Sequence, residues 1–164
     1  MIIFNSSPLI HLTKIGKIRF ILNLFDFIVI PDKVYSEVIE EGIKMGFSDA
    51  ILLRNYFKNK RIKKMEISQP DPILKDYLHV GEYEAIQLAQ QLDGLLVMDE
   101  KKGRLVAEQK GIEVVTTADT LLLLRKENMI DSTLFQSNLG KYAANGWLSP
   151  KVYEKYLKEG KKFE

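Results

Sequence analysis

Cysteine is absent from the 164 residues, which removes disulfides and thiolate metal sites together and suits a reducing compartment. Histidine occurs only twice, as His11 and His79, too few and too far apart in sequence for a zinc site. An excess of either charge is also missing. Lys plus Arg number 24 against 22 Asp plus Glu, a formal charge of +2, so nothing global attracts a polyanion and any nucleic-acid surface must be local. No apolar run approaches the ~18 residues of a membrane span. The first run breaks at Asn5 before a secretory signal could form. The expectation is a cytoplasmic protein with no membrane segment.

What is present is a hydrophobic share of 46%, with no internal repeat, low-complexity tract or Pro/Gly/Ser linker, which fits one domain over residues 1–164. Short apolar runs alternate with helical patterns. Candidate strands are Met1 to Asn5, Phe27 to Ile30, Ile62 to Ile67, Leu95 to Met98 and Ile112 to Val115. Most are continuous hydrophobic stretches, as in parallel strands covered on both faces, whereas "RIKKMEI" alternates and reads as an edge strand. Helical patterns cover Pro8 to Leu24 in two pieces around Gly16, then Asp32 to Glu41, Ser48 to Asn59, Gly81 to Leu92, Lys101 to Lys110 and Ala118 to Lys126. Thr116 stands three residues before Asp119 as a capping box requires, and Ser149 with Pro150 opens the last helix. The fold class is α/β, an open parallel sheet of about five strands with a C-terminal helical pair at about 131–161.

In such sheets ligands gather at the carboxyl ends of strands where strand order reverses. Asn5 ends the first strand and Asp99 the fourth, and these two strands are expected to flank the reversal. Glu82 lies within the apolar arc of its helix, so its carboxylate either serves a buried site or answers the helix dipole. Asp99 and Glu100 read equally as the cap and first-turn acid of the next helix or as site acids. Glu37 borders an apolar face in "DKVYSEVIEE", where a solvated charged face is the simpler reading, and Glu40 points away. Lys101, Lys102 and Arg104 put positive charge at the rim of this region. "FKNKRIKK" is a denser basic run, best read as a solvated face.

The stretches "FNSSPLIHLTKIGKIRFILNLF", "VIPDKVYSEVIEEG", "HVGEYEAIQLAQQLDGLLVMDEKKGRLVAEQKGIEVV" and "LGKYAANGWLSPKVYEKYLK" resemble, in order, the PIN-domain family and within it the VapC-like branch. Phe47 to Leu78 carries no signature of the family. The resemblance implies a three-layer α/β/α sandwich that cuts single-stranded RNA with Mg²⁺ or Mn²⁺ held by a handful of clustered acids. Carried over by position, the site residues are Asn5, Glu37, Glu82 and one of Asp99 and Glu100, with Asp99 favoured and Glu37, Glu82 and Asp99 as metal ligands. Lys101, Lys102 and Arg104, which follow Asp99 directly, are the expected substrate contacts, and Ser7 reads either as a further phosphate contact or as part of a turn and helix cap before Pro8. Most family members carry aspartate where this chain has Asn5, and the VapC-like branch often begins with an N-[ST]-SPLI pattern, so Asn5 reads as a branch feature that removes one negative charge. The resemblance further implies the toxin of a toxin–antitoxin pair, an antitoxin protein as partner, and a homodimer. The alternative is a PIN-like module that binds RNA or protein without turnover.

Overall fold

Successive side chains of a strand point to opposite faces, and in this protein both faces are apolar. The computed structural model describes residues 1–163. β1 (Ile2–Phe4) runs into α1 (Ser6–Lys14), which Gly16, in left-handed backbone at φ 71°, separates from α2 (Ile18–Phe25). β2 (Ile28–Pro31) feeds α3 (Asp32–Tyr35), which widens into a π turn at Ser36–Glu41 and closes as α4 (Gly42–Lys44). α5 (Ser48–Lys58) leads to β3 (Ile62–Met65), and α6 (Pro72–Tyr77) with α7 (Val80–Leu92) leads to β4 (Leu95–Val97). α8 (Lys101–Gln109) and β5 (Val114–Val115) follow. The chain then turns helical through α9 (Thr117–Lys126), α10 (Ser132–Ala144), α11 (Pro150–Gly160) and a 3-10 turn at Lys161–Phe163.

The sheet is five-stranded and parallel, in the order β3-β2-β1-β4-β5. Strand order reverses between β1 and β4, paired in register as Ile3 with Leu96 and Phe4 with Val97. Ile2, Phe4, Ile28, Ile30 and Val97 pack into one apolar layer with α1, α2, α5, α9 and α10. Ile3, Val29, Leu96 and Met98 pack into the other with α7 and α8. The result is a three-layer α/β/α sandwich.

All the candidate strands form, with β3 at an edge as its alternation implied. Thr116 and Asp119 make the expected capping box, which stabilises α9 by about 1 kcal/mol. The basic run is largely structural: Arg61 donates to the Leu22 and Asp26 carbonyls, and Lys64 pairs with Asp32 at 3.0 Å. α6 was not read from the sequence. Asp71 caps it by accepting from the backbone of Ile73 and Leu74, with Pro72 in the first turn, the same signal as Ser149 and Pro150. The π turn was missed as well, since hydrophobic periodicity does not distinguish it from an α-helix.

The C-terminal pair is not an appendage. Phe135, Leu139, Tyr142 and Tyr156 are buried in the same core as β1 and α9. Tyr142 and Tyr156 are therefore used inside the molecule.

Candidate functional site

Two helix caps at the reversal are vacated in favour of each other. Asn5 occupies the N-cap position of α1 and Glu100 that of α8, yet neither side chain caps its own helix. Instead, the Asn5 amide donates to Glu100 Oε2 at 3.0 Å. Ser7 donates to Glu100 Oε1 at 2.5 Å. The Asn5 backbone also donates to the Val97 carbonyl at 3.0 Å, locking the end of β1 to β4. Asn5 is only 3% exposed, so this amide is a built part of the fold.

Glu37 arrives from the π turn. Ser6 donates to its Oε2 at 2.7 Å, and Lys33 lies 3.4 Å from its Oε1. Gly81, in the first turn of α7, leaves a gap beside it: a Cβ there would lie 3.2 Å from Glu37 Oε2 and 3.6 Å from Asn5 Oδ1. Glu84 of α7 accepts from the Lys33 backbone at 2.8 Å, tying the helix that carries Glu82 to the segment that carries Glu37. Nothing in the sequence pattern pointed to Glu84, because a long-range cap leaves no local signature.

Glu82 is buried in the first turn of α7, and its carboxyl is held above the usual range by burial and next by the charge of Glu100. That repulsion puts Glu82 and Glu100 in one field. A cleft of about 410 Å³ opens onto Glu82, lined by Asp76, Tyr77, Leu78, His79 and Lys102.

Asp99 lies in a different network from the other sequence-selected acids. His11 approaches its Oδ2 at 3.0 Å, Thr117 donates its backbone N–H and its hydroxyl at 2.8 Å each, and Tyr142 donates at 3.0 Å. Burial raises its pKa, but these donors outweigh it and hold the carboxyl below the usual range. His11 stacks on Trp147 at 3.9 Å between ring centroids, so the network fastens the C-terminal helices to the end of β4. The sequence reading favoured Asp99 over Glu100, whereas Glu100 is the acid that touches Asn5 and Ser7. Adjacent positions at a strand end face opposite ways, and sequence order could not say which one faced the notch.

The cationic residues divide too. Lys101 and Lys102 are exposed at the start of α8, with Lys102 donating to the Tyr77 carbonyl at 2.6 Å. Arg104 instead lines a cavity against α11, together with Trp147 and Lys155.

A family model described as DUF3368, PIN domain, matches residues 1–162. The chain belongs to the PIN-domain family. PIN domains are a nuclease fold and typically use divalent metal ions. Two solved structures are similar to this PIN domain. A PilT N-terminus domain protein of Sulfolobus solfataricus is 23% identical with a TM-score of 0.49, covering 73% of this chain and 89% of that one. A domain of a functionally unknown protein from Methanocaldococcus jannaschii is 18% identical with a TM-score of 0.46, covering 70% of this chain and 89% of that one. No curated protein gives a significant match.

The donors of this PIN domain are hard oxygens, the class that Mg²⁺ and Mn²⁺ take. The gap at Gly81, and the repulsion between Glu82 and Glu100 that His79 and Lys102 offset only in part, fit a cation in the notch. As they stand, no three acidic or histidine side chains among the described residues converge on one metal position. Glu37 is instead held by Ser6 and Lys33, and Glu100 by Asn5 and Ser7. Among the described residues, no helix is long and apolar enough to cross a membrane.

Proposed function

We propose that this PIN domain is a metal-dependent endoribonuclease acting on single-stranded RNA, of the VapC-like toxin type. Its acidic site is Asn5, Glu37, Glu82 and Glu100. The observation that carries this reading is the meeting of side chains from separate segments at the reversal, with Asn5 and Glu100 bonded to each other rather than to their own helices. Glu37, Glu82, Glu100 and the Asn5 amide oxygen would hold Mg²⁺ or Mn²⁺. When bound, such an ion supplies the Lewis acidity that phosphodiester hydrolysis needs.

The chain's own residues supply orientation and field. Ser6 and Ser7 fix the carboxylates of Glu37 and Glu100 from the first turn of α1. The N-termini of α1, α7 and α8 all open at this end of the sheet, where their dipoles favour anions, carboxylate or phosphate alike. Lys101 and Lys102, exposed at the rim, are the proposed phosphate contacts, and the cleft beside Glu82 is the proposed path of the strand. An antitoxin or a second copy would find open apolar surface at Met45, Phe47, Ile51 and Leu52.

A second reading, a binding module without turnover, is favoured by one observation: Lys33 already faces Glu37 where a cation would otherwise help. A cleavage assay separates the two. Purified protein is incubated with end-labelled single-stranded RNA in Mn²⁺ or in EDTA, alongside Glu82→Gln and Glu100→Gln. The nuclease reading expects cleavage that EDTA abolishes and both variants lose. Cleavage that persists in EDTA, or in both variants, rejects it. RNA retention without cleavage in any metal supports the silent module.

A further inference from the structure

Asp99 lines a cavity of about 330 Å³ that touches none of Asn5, Glu37, Glu82 and Glu100 and that the nuclease reading does not use. Its walls come from the start of α9, from α10, from the α10–α11 connection and from α11, with α8 supplying Arg104. The volume sits at the low end of small-ligand sites, which run from ~300 Å³ upward.

The chemistry of the lining is selective. Trp147, Tyr142 and Tyr156 give it aromatic walls, and Arg104 and Lys155 give it positive charge. The acids nearby are already satisfied: Asp99 by His11, Thr117 and Tyr142, and Asp119 by Thr116 and by the Tyr156 hydroxyl at 2.5 Å. Arg104 is not: its Nε is buried without a hydrogen-bond partner, and it forms no ion pair among the described residues. Lys155 is exposed and lies over the Tyr156 ring at 5.7 Å, free of any ion pair among the described residues. A buried guanidinium donor with nothing to donate to is costly unless an acceptor completes it. Arg is also the side chain best matched to a phosphate, by its fork of donors, and Lys adds a point charge.

We propose that this cavity is a second binding site, separate from the acidic notch, for a single nucleotide: an aromatic base against Trp147 and Tyr156, with its phosphate on Arg104 and Lys155. A neutral apolar ligand would leave Arg104 uncompensated, and phosphate alone would leave the aromatic walls bare. The same chemistry is carried by a free nucleoside monophosphate and by the 5′-terminal nucleotide of an RNA strand.

Trp147 is the only tryptophan in the chain, so its fluorescence reports on this cavity directly. The test titrates the full-length protein in EDTA with AMP, adenosine, ribose 5-phosphate and a 5′-phosphorylated trinucleotide, so that metal and turnover play no part. Expected is a saturable fluorescence change with AMP or with the trinucleotide, with adenosine and ribose 5-phosphate binding at least about tenfold more weakly. Arg104→Gln should weaken binding by about tenfold or more and Lys155→Gln by a smaller factor, with thermal melts confirming that both variants fold. Glu82→Gln should bind as the wild type does, which keeps this result separate from the fate of the nuclease reading. A response to the trinucleotide alone assigns the site to a strand end, and a response to AMP assigns it to the free nucleotide. No saturable change with either, or unchanged binding by both cation variants, overturns the proposal.

Discussion

Asn5 donates a hydrogen bond to Glu100 across 3.0 Å, a contact that an aspartate in its place could not make. Two carboxylates at that separation repel unless one is protonated or a cation lies between them. The asparagine therefore lets the notch hold together without metal, at the loss of one negative charge for gripping it.

Asn5→Asp should invert that balance. In EDTA the variant is expected to be less stable than the wild type by about 1–3 kcal/mol, the usual cost of a buried group losing its partner. Added Mn²⁺ should then raise its melting temperature more than that of the wild type. Thermal melts of both proteins with and without Mn²⁺ check this, and an equal response to the ion would refute it.

Glu82 has a pH signature. Burial and Glu100 raise its folded pKa above the ordinary carboxylate value, so between its unfolded and folded values the folded protein binds more protons than the unfolded chain. Stability contributed by this group is thus lost as pH climbs through that window. Denaturant unfolding from pH 4 upward should show the decline in the wild type and a flatter curve in Glu82→Gln. Parallel curves would mean that Glu82 is not strained by its surroundings.

Asp99 should behave in the opposite sense. Its folded pKa lies below the ordinary aspartate value, so the stability it contributes is present above that ordinary value and is lost as pH falls through the folded one. Asp99→Asn is expected to cost about 1–3 kcal/mol and to loosen α10 and α11 first, because His11, Thr117 and Tyr142 lose their common acceptor. Hydrogen exchange localised to those helices checks it, and uniform loss across the sheet would count against a clamp.

Gly81→Ala should separate stability from activity. Alanine favours helix over glycine by up to about 1 kcal/mol, so the melting temperature should hold or rise. The new methyl group, 3.2 Å from Glu37 Oε2 and 3.6 Å from Asn5 Oδ1, should displace the site and lower any metal-dependent cleavage by on the order of tenfold or more. A fully active variant would show that Glu37 need not sit beside Asn5.

Much of the sheet was legible because the apolar runs around Ile3, Val29 and Leu96 must be covered on both faces, which only a central parallel sheet provides. Glu82 was legible too, since a carboxylate within an apolar arc has to be buried. Glu100 and Asp99 could not be told apart, because they are neighbours and each fits a strand-end acid. Their roles depend on Asn5, Ser7, Thr117 and Tyr142, which approach from remote segments. Lys155 and Trp147 gave no sign of meeting Arg104, for the same reason.

The wide turn at Ser36–Glu41 gives that stretch a fixed length. Taking out one residue would tighten it to an ordinary helix and swing whatever follows through ~100° about the axis, so that either Glu37 or the segment packing at Ile43 loses its station. Among relatives that keep this notch, gaps in an alignment should avoid those six positions, even though nearby loops tolerate them.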